Sequence, residues 1–349
     1  MANIYHKQYL VGQGGLHLGI VGDNAYIYDC GGYGKEEDVD KNQIFSEIKL
    51  KISKCRELHI FISHWHEDHC NYLQDFLDEI SPHIAKIHIY SSTMNNIYID
   101  NDNTTNLEKI MFICEQMRNH TNEYNKNFTN LVVNGYIPER ENVIYEKDFS
   151  NLPKNLPDNQ ILKPYITHID IADSKKFNEK LYEILPKDLY YGVNHLEKMV
   201  RDKDFWKNCL IAYKQTFHFQ NVKNVNHKNM LCLYCGQTIC SNEFYENWLH
   251  TGDALMKNTK ELDGFINYYG SLLENITNFQ IPHHGSRANH GHKFSRYFHR
   301  CYREFFITAQ ENPSKASKEV KPYLDDIVVC RWKPIAKISE KLKSYIFSI

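Results

Sequence analysis

Three histidines and an aspartate fall within the six residues His64-Trp65-His66-Glu67-Asp68-His69. Imidazole nitrogens and carboxylate oxygens suit Zn²⁺, Mn²⁺ or Fe²⁺, and sulfur is absent from the run. The run follows the apolar stretch Leu58–Ile62. That order predicts a loop at the C-terminal end of a buried strand, where side chains can converge instead of alternating between faces. A surface loop rich in histidine by chance is the bland alternative, and the strand–loop–helix context argues against it. Three further segments supply what the loop lacks. Leu249-His250-Thr251-Gly252-Asp253-Ala254 offers a carboxylate in a tight turn, placed to bridge two metals about 3.5–4 Å apart. Pro282-His283-His284-Gly285-Ser286 offers one or two imidazoles, and Asp29-Cys30-Gly31-Gly32 another carboxylate beside a flexible turn. Each is weak alone. Together they fill a two-metal shell with histidine and aspartate only.

The elements that must position these residues read as an alternation of strands and helices. Short strands are predicted at Tyr9–Val11, Leu16–Val21 and Ala25–Tyr28, a helix at roughly 37–54, and strands at Leu58–Ile62 and Ile84–Tyr90. Between the last two, Tyr72, Leu73, Phe76, Leu77 and Ile80 recur at helical spacing. This βαβα order implies an α/β layered fold with ligands at strand ends. From about 95 to 225 the texture changes to Asn, Lys and Tyr with short apolar runs, punctuated by Pro153, Pro157 and Pro164. It reads as a large, mostly helical insert or cap, with helical patterns at 106–119, 176–185 and 195–218. Residues 1–94 and 226–349 then form the two halves of the catalytic fold. In the second half, strands are predicted at Met230–Tyr234, Gln237–Ile239, Trp248–Leu249, Phe279–Ile281, Glu304–Ile307 and Ile327–Val329. Helical patterns at about 257–268, 293–303 and 313–324 lie between them.

Composition narrows the classes. A formal charge of −2 gives the molecule no overall field to gather nucleic acid or anionic lipid, so a polyanion site must be a local patch. One such patch runs from Arg287 to Arg303, with Lys293, Arg296, Arg300, three histidines and no acidic residue. It reads equally as a phosphate-binding surface or as the solvated face of an amphipathic helix. No stretch approaches the ~18 apolar residues of a membrane span, and the N-terminus lacks a signal-peptide core. Ten cysteines without framework spacing fit a reduced, cytoplasmic compartment. Cys232 and Cys235 form one Cys-x-x-Cys inside a strand-like run, with no second pair nearby for a zinc knuckle. Cys70, beside the loop, reads as core.

The ordered set Val11-Gly12-Gln13-Gly14, Asp29-Cys30-Gly31-Gly32, His64 to His69, Thr251-Gly252-Asp253 and His283-His284-Gly285-Ser286 resembles the metallo-β-lactamase superfamily. Within it, the set is most similar to the ComEC-like branch of competence DNA-uptake metallohydrolases. The likeness covers roughly 8–90 and 226–310 and implies an αββα sandwich. It implies two divalent ions, Zn or Mn. His64 and His66 would hold one, Asp68 and His69 the other, with Asp253 bridging and His283 or His284 completing the second site. Asp29 would hold the loop from behind, and His227 is a candidate extra ligand. Catalytic roles would fall to Asp68 or Asp253 as proton acceptor and His284 as proton donor. Ser286, Arg287 and Lys315 would meet substrate. Two departures stand out: Gly15 replaces the branch's aspartate, and a late histidine motif is reduced to Glu311-Asn312-Pro313-Ser314-Lys315-Ala316. The resemblance implies a phosphodiesterase or nuclease acting on nucleic acid or a nucleotide. Hydrolysis of another ester, thioester or amide is the alternative. A third reading is a metal-stabilised interaction module whose 95–225 insert docks a protein partner.

Overall fold

The computed structural model describes residues 4–9, 11, 14–32, 40–64, 67–91, 141–146, 148–167, 176, 179–180, 183–184, 208, 211–212, 215, 230–238, 246–257, 259–283, 289, 294, 304–310, 331–339 and 342–348. The chain divides into two compact units. Met1–Ser92, Glu141–Thr167 and Met230–Ile349 form the first, and Thr93–Arg140 with His168–Asn229 the second. In the second unit the described residues are helical, and Lys180 pairs with Glu183 one turn on at 2.6 Å.

The first unit is a mixed α/β structure with two mixed sheets. The first sheet has the order β1 (Ile4–Gln8), β2 (Gly14–Val21), β3 (Asn24–Gly32), β4 (Glu57–Ile62), β5 (Lys86–Ser91), β6 (Val143–Tyr145). β1, β2 and β3 pair antiparallel, and β3 to β6 pair parallel. Parallel neighbours need crossovers. Helix α1 (Lys41–Ile52) supplies one between β3 and β4; α2 (Glu67–Cys70) and α3 (Leu73–Ile80) supply the next. α1 starts where the Asp40 carboxylate accepts from the Gln43 N–H at 2.9 Å and ends with Lys49 and Lys51 in its last turn, a charge order that suits the helix dipole. Phe45, Ile48 and Ile52 of α1 and Leu73, Phe76, Leu77 and Ile80 of α3 are buried.

The second sheet is built from β7 (Gln160–Ile166), β8 (Leu231–Gln237), β9 (Trp248–His250), β10 (Asn278–Gln280), β11 (Glu304–Gln310), β12 (Arg331–Ser339) and β13 (Leu342–Ser348). Its order is β12-β13-β11-β10-β9-β8-β7, with β9, β10 and β11 parallel. Helix α4 (Thr259–Tyr269) lies on its outer face, where Leu262, Phe265 and Tyr269 pack with Cys232, Tyr234, Leu249 and Phe279. Cys235, three residues from Cys232 along β8 and on the other face, meets Tyr26, so the two thiols cannot share one metal. β6 and β7 fall inside the stretch expected to be an insert, and each adds a strand to a sheet. The first strand runs over Ile4–Gln8 and not Tyr9–Val11. The helical pattern at 106–119, most of those at 195–218 and 293–303, that at 313–324 and the Ile327–Val329 strand lie outside the described residues.

The inner faces meet through an aromatic layer rich in histidine. His6, Gly19, Tyr26, His59 and His88 stand in one cross-strand row; Gln8, His17, Tyr28, Phe61 and Tyr90 stand in the next. From β9, Trp248 packs on His17 with ring centres 4.4 Å apart, and His250 on Tyr28 at 4.6 Å. Burial, then neighbouring imidazoles, hold His17 well below the ordinary imidazole range. Burial, then His88 and Lys86, bring His59 down to about 3.

His59 therefore takes a proton more readily unfolded, near 6.5, than folded, and it weakens the fold as pH drops between those values. In urea titrations at several pH values, the stability of His59→Phe relative to the parent should rise by about 1.4 kcal/mol for each pH unit below 6.5. Parallel stability curves for the two proteins would contradict the neutral buried imidazole.

Candidate metal centre

The site forms where β3, β4, β9 and β10 all end. Asp29, on β3, adopts a left-handed backbone (φ 56), which aspartate tolerates better than most residues. Its buried carboxylate accepts from the Ser63 N–H (2.7 Å), the Ser63 hydroxyl (3.0 Å) and His69 Nδ1 (2.7 Å). One carboxylate thus ties the end of β3 to the segment leaving β4. The close approach needs Gly31, since a Cβ there would sit 2.5 Å from the Cys70 backbone nitrogen and 2.7 Å from the Asp68 carbonyl carbon. Asp68 and His69 ride on the single turn of α2, not on the loop expected for the whole 64–69 run.

Opposite, the turn after β9 is fixed by Gln280 of β10. Its side-chain oxygen accepts from the Thr251 N–H (3.1 Å) and the Gly252 N–H (3.3 Å), and the Thr251 hydroxyl donates to its backbone oxygen (2.7 Å). Gly252 has φ 51, and a Cβ on it would press within 2.6 Å of the Ser63 Cβ. The turn can therefore bring Asp253 onto the β4 side. The His283 N–H donates to the Gly252 carbonyl at 3.0 Å, which joins the third segment to the second.

The hydrogen-bond partners decide which ring nitrogen of each histidine carries hydrogen. Ser63 gives its hydroxyl hydrogen to Asp29, so its oxygen accepts from His64 Nδ1 at 3.0 Å. Asp29 accepts from His69 Nδ1. With hydrogen on Nδ1, each ring in its neutral form turns an Nε2 lone pair toward Asp253. His64 Nε2 lies 3.7 Å from Oδ2 and His69 Nε2 3.3 Å from Oδ1, while His283 Nε2 is 3.5 Å from Oδ2. Asp68 Oδ2 stands 3.8 Å from His69 Nε2. Acceptors facing one another at such distances repel unless a cation or a proton lies among them. His64, His69 and Asp253 each offer a ligand atom, all within 4.8 Å of one another and all buried. Nitrogen and carboxylate donors in that arrangement fit a divalent ion such as zinc.

The electrostatics point the same way. Burial opposes charge on Asp253, but His283, His69 and His64 around it hold its carboxyl well below the usual carboxylate range. Burial likewise opposes charge on His69, and Asp29, Asp68 and Asp253 hold it well above the usual imidazole range. Burial pushes Asp29 up, with His69 and Ser63 pulling the other way.

Of the residues singled out in the sequence, the fold brings together Asp29, His64, Asp68, His69, Asp253 and His283. His66, His227, His284, Ser286, Arg287 and Lys315 lie outside the described residues. Gly15 stands beside Asp29, where a Cβ would come within 2.9 Å of the Asp29 Cβ. An aspartate at position 15 would therefore not fit against Asp29 as it stands. Ser63, Gln280 and Asn289 were missed. Ser63 adjoins the motif and was open to suspicion, whereas nothing in the local sequence marks Gln280 or Asn289. No protein-family model matches the chain, and no curated protein matches it.

Removing the Asp29 carboxylate would leave three buried donors facing one another. Asp29→Ala should lower unfolding free energy by about 3–5 kcal/mol in urea titrations, and a loss under about 1 kcal/mol would contradict the tie described above.

Proposed function

We propose that this chain is a metal-dependent hydrolase of the metallo-β-lactamase superfamily, in its ComEC-like branch, acting on phosphodiesters of a nucleic acid or nucleotide. The observation that carries the reading is the turn of three imidazole Nε2 atoms, two from the segment after β4 and one from the segment after β10, onto the buried Asp253 carboxylate. Support also comes from the ordered motifs and from two facing sheets with helices outside them. His64, His66, Asp68, His69, Asp253 and one of His283 and His284 would hold two divalent ions. Such ions supply Lewis-acid polarisation of a phosphoryl or acyl oxygen and acidify a water.

The protein's own part is to orient and to move protons. Ser63 and Asp29 fix the ring nitrogens of His64 and His69. Asp68, buried at the rim of the cluster, or Asp253 would accept a proton from the attacking water. His284, if it is not the ligand, would donate a proton to the leaving group, and Ser286, Arg287 and Lys315 would meet the phosphate. The protein would work in the cytoplasm, with residues 93–140 and 168–229 left to shape substrate choice or to dock a partner. The net charge of −2 favours one second reading, hydrolysis of a non-phosphate ester, thioester or amide by the same residues.

The purified protein with Mn²⁺ or Zn²⁺ is to be incubated with single-stranded and duplex nucleic acid, cyclic nucleotides and bis(p-nitrophenyl) phosphate. Turnover should appear on at least one phosphodiester and fall at least about 100-fold in Asp253→Ala. Turnover confined to esters or thioesters would replace the substrate assignment with the second reading. Inactivity on every substrate, with no effect of Asp253→Ala on any property but folding, would leave an interaction module.

A further inference from the structure

Asn289 is fully buried, six residues beyond His283, and its contacts lead to the metal-facing atoms. One side of its amide lies 2.6 Å from the Asp253 carbonyl oxygen and 3.5 Å from that of Ala254. Both are pure acceptors, so the nitrogen must face them and the amide oxygen must face the other way. That oxygen lies 2.7 Å from His283 Nδ1. An amide oxygen only accepts, hence Nδ1 must carry the hydrogen, which in the neutral ring leaves the lone pair on Nε2. The orientation is locked at a third point, where the Met256 N–H donates to the Asn289 backbone oxygen at 2.6 Å.

We infer that Asn289 is a positioning residue that fixes the tautomer of His283 and makes this histidine the ligand contributed by the 283–284 pair. The His283 side chain is 30 % exposed, and the Asn289 oxygen gives its Nδ1 a buried acceptor. Asn289 binds the two halves of the site with one side chain. Its oxygen sets the ring of His283, while its nitrogen grips the backbone of Asp253, the carboxylate that the ring faces. Ser63 and Asp29 do the same for His64 and His69 on the β4 side. Each metal-facing imidazole thus has its own Nδ1 acceptor, in line with how ligating histidines are oriented in general. The consequence for metal affinity rests on the proposed metal-dependent reading, whereas the tautomer assignment does not.

The test uses the full chain, ¹⁵N-labelled, metal-free and at a pH where imidazoles are neutral. Long-range ¹H–¹⁵N spectra should show His283, assigned by its loss in His283→Gln, with hydrogen on Nδ1 and an unprotonated Nε2. Asn289→Asp keeps an acceptor for Nδ1 and should keep that tautomer; Asn289→Leu should mix or invert it. Zn²⁺ affinity, read by chelator competition, should fall about 10–100-fold in Asn289→Leu. It should fall no further when that change is added to His283→Gln. Hydrogen on Nε2 in the parent protein, or an unchanged tautomer in Asn289→Leu, overturns the inference. If Asn289→Leu fails to fold, the parent spectrum and Asn289→Asp still decide it. A parent protein that binds no Zn²⁺ but shows the Nδ1–H tautomer would defeat the metal reading and leave the role of Asn289 standing.

Discussion

Asp253, itself buried, draws three imidazole nitrogens to within 3.3–3.7 Å of its carboxylate. Charges and lone pairs so arranged are tolerable only with positive charge among them, since the interior screens them far less than water does. The surrounding imidazoles hold the Asp253 carboxyl low, and the surrounding carboxylates hold His69 high. A divalent ion would meet the need for positive charge. The constraint explains why so many other groups around the site do nothing but hold orientation. Asp29, Ser63, Gln280 and Asn289 use their hydrogen bonds to aim neighbours, and each sits on a different piece of chain.

The scaffold is suited to that work. Strand ends can be aimed independently because the sheets behind them are fixed by register and by the packing of their inner faces. The layer between the sheets is unusual in composition: histidines and tyrosines take places where aliphatic residues are commoner. Some of their polar edges meet inside the layer, as at the Tyr26 hydroxyl, which lies 3.2 Å from His6 and 3.3 Å from His17. At the far side, His88 and Glu146 approach to 2.5 Å. Burial holds His6, His17, His59 and His250 below the ordinary imidazole range, so the layer links the fold to pH independently of the metal site.

Much of the candidate site was legible because the ligand residue types cluster and sit where hydrophobic runs stop. The run Leu58–Ile62 followed by His64 is such a case, and β4 does end at Ile62. Less was legible where tertiary context overrides local pattern. Ile4–Gln8 alternates poorly and carries a lysine and a histidine, so its strand character comes from pairing with β2. Pro164 reads as punctuation, yet it lies within β7, at the edge of the second sheet, where proline need not donate to a neighbour. Asn289 shows the deeper limit. Its role depends on which atoms His283 and the Asp253–Met256 turn present to it, and no spacing rule encodes that.

The central claim is that the Asp253 cluster holds a divalent ion through imidazole and carboxylate groups alone. X-ray absorption at the zinc edge of the Zn²⁺-loaded protein, after exhaustive dialysis, tests this most directly. The account predicts a first shell of nitrogen and oxygen at about 2.0–2.1 Å with imidazole outer-shell scattering. Sulfur at about 2.3 Å, or no retained zinc, would contradict it.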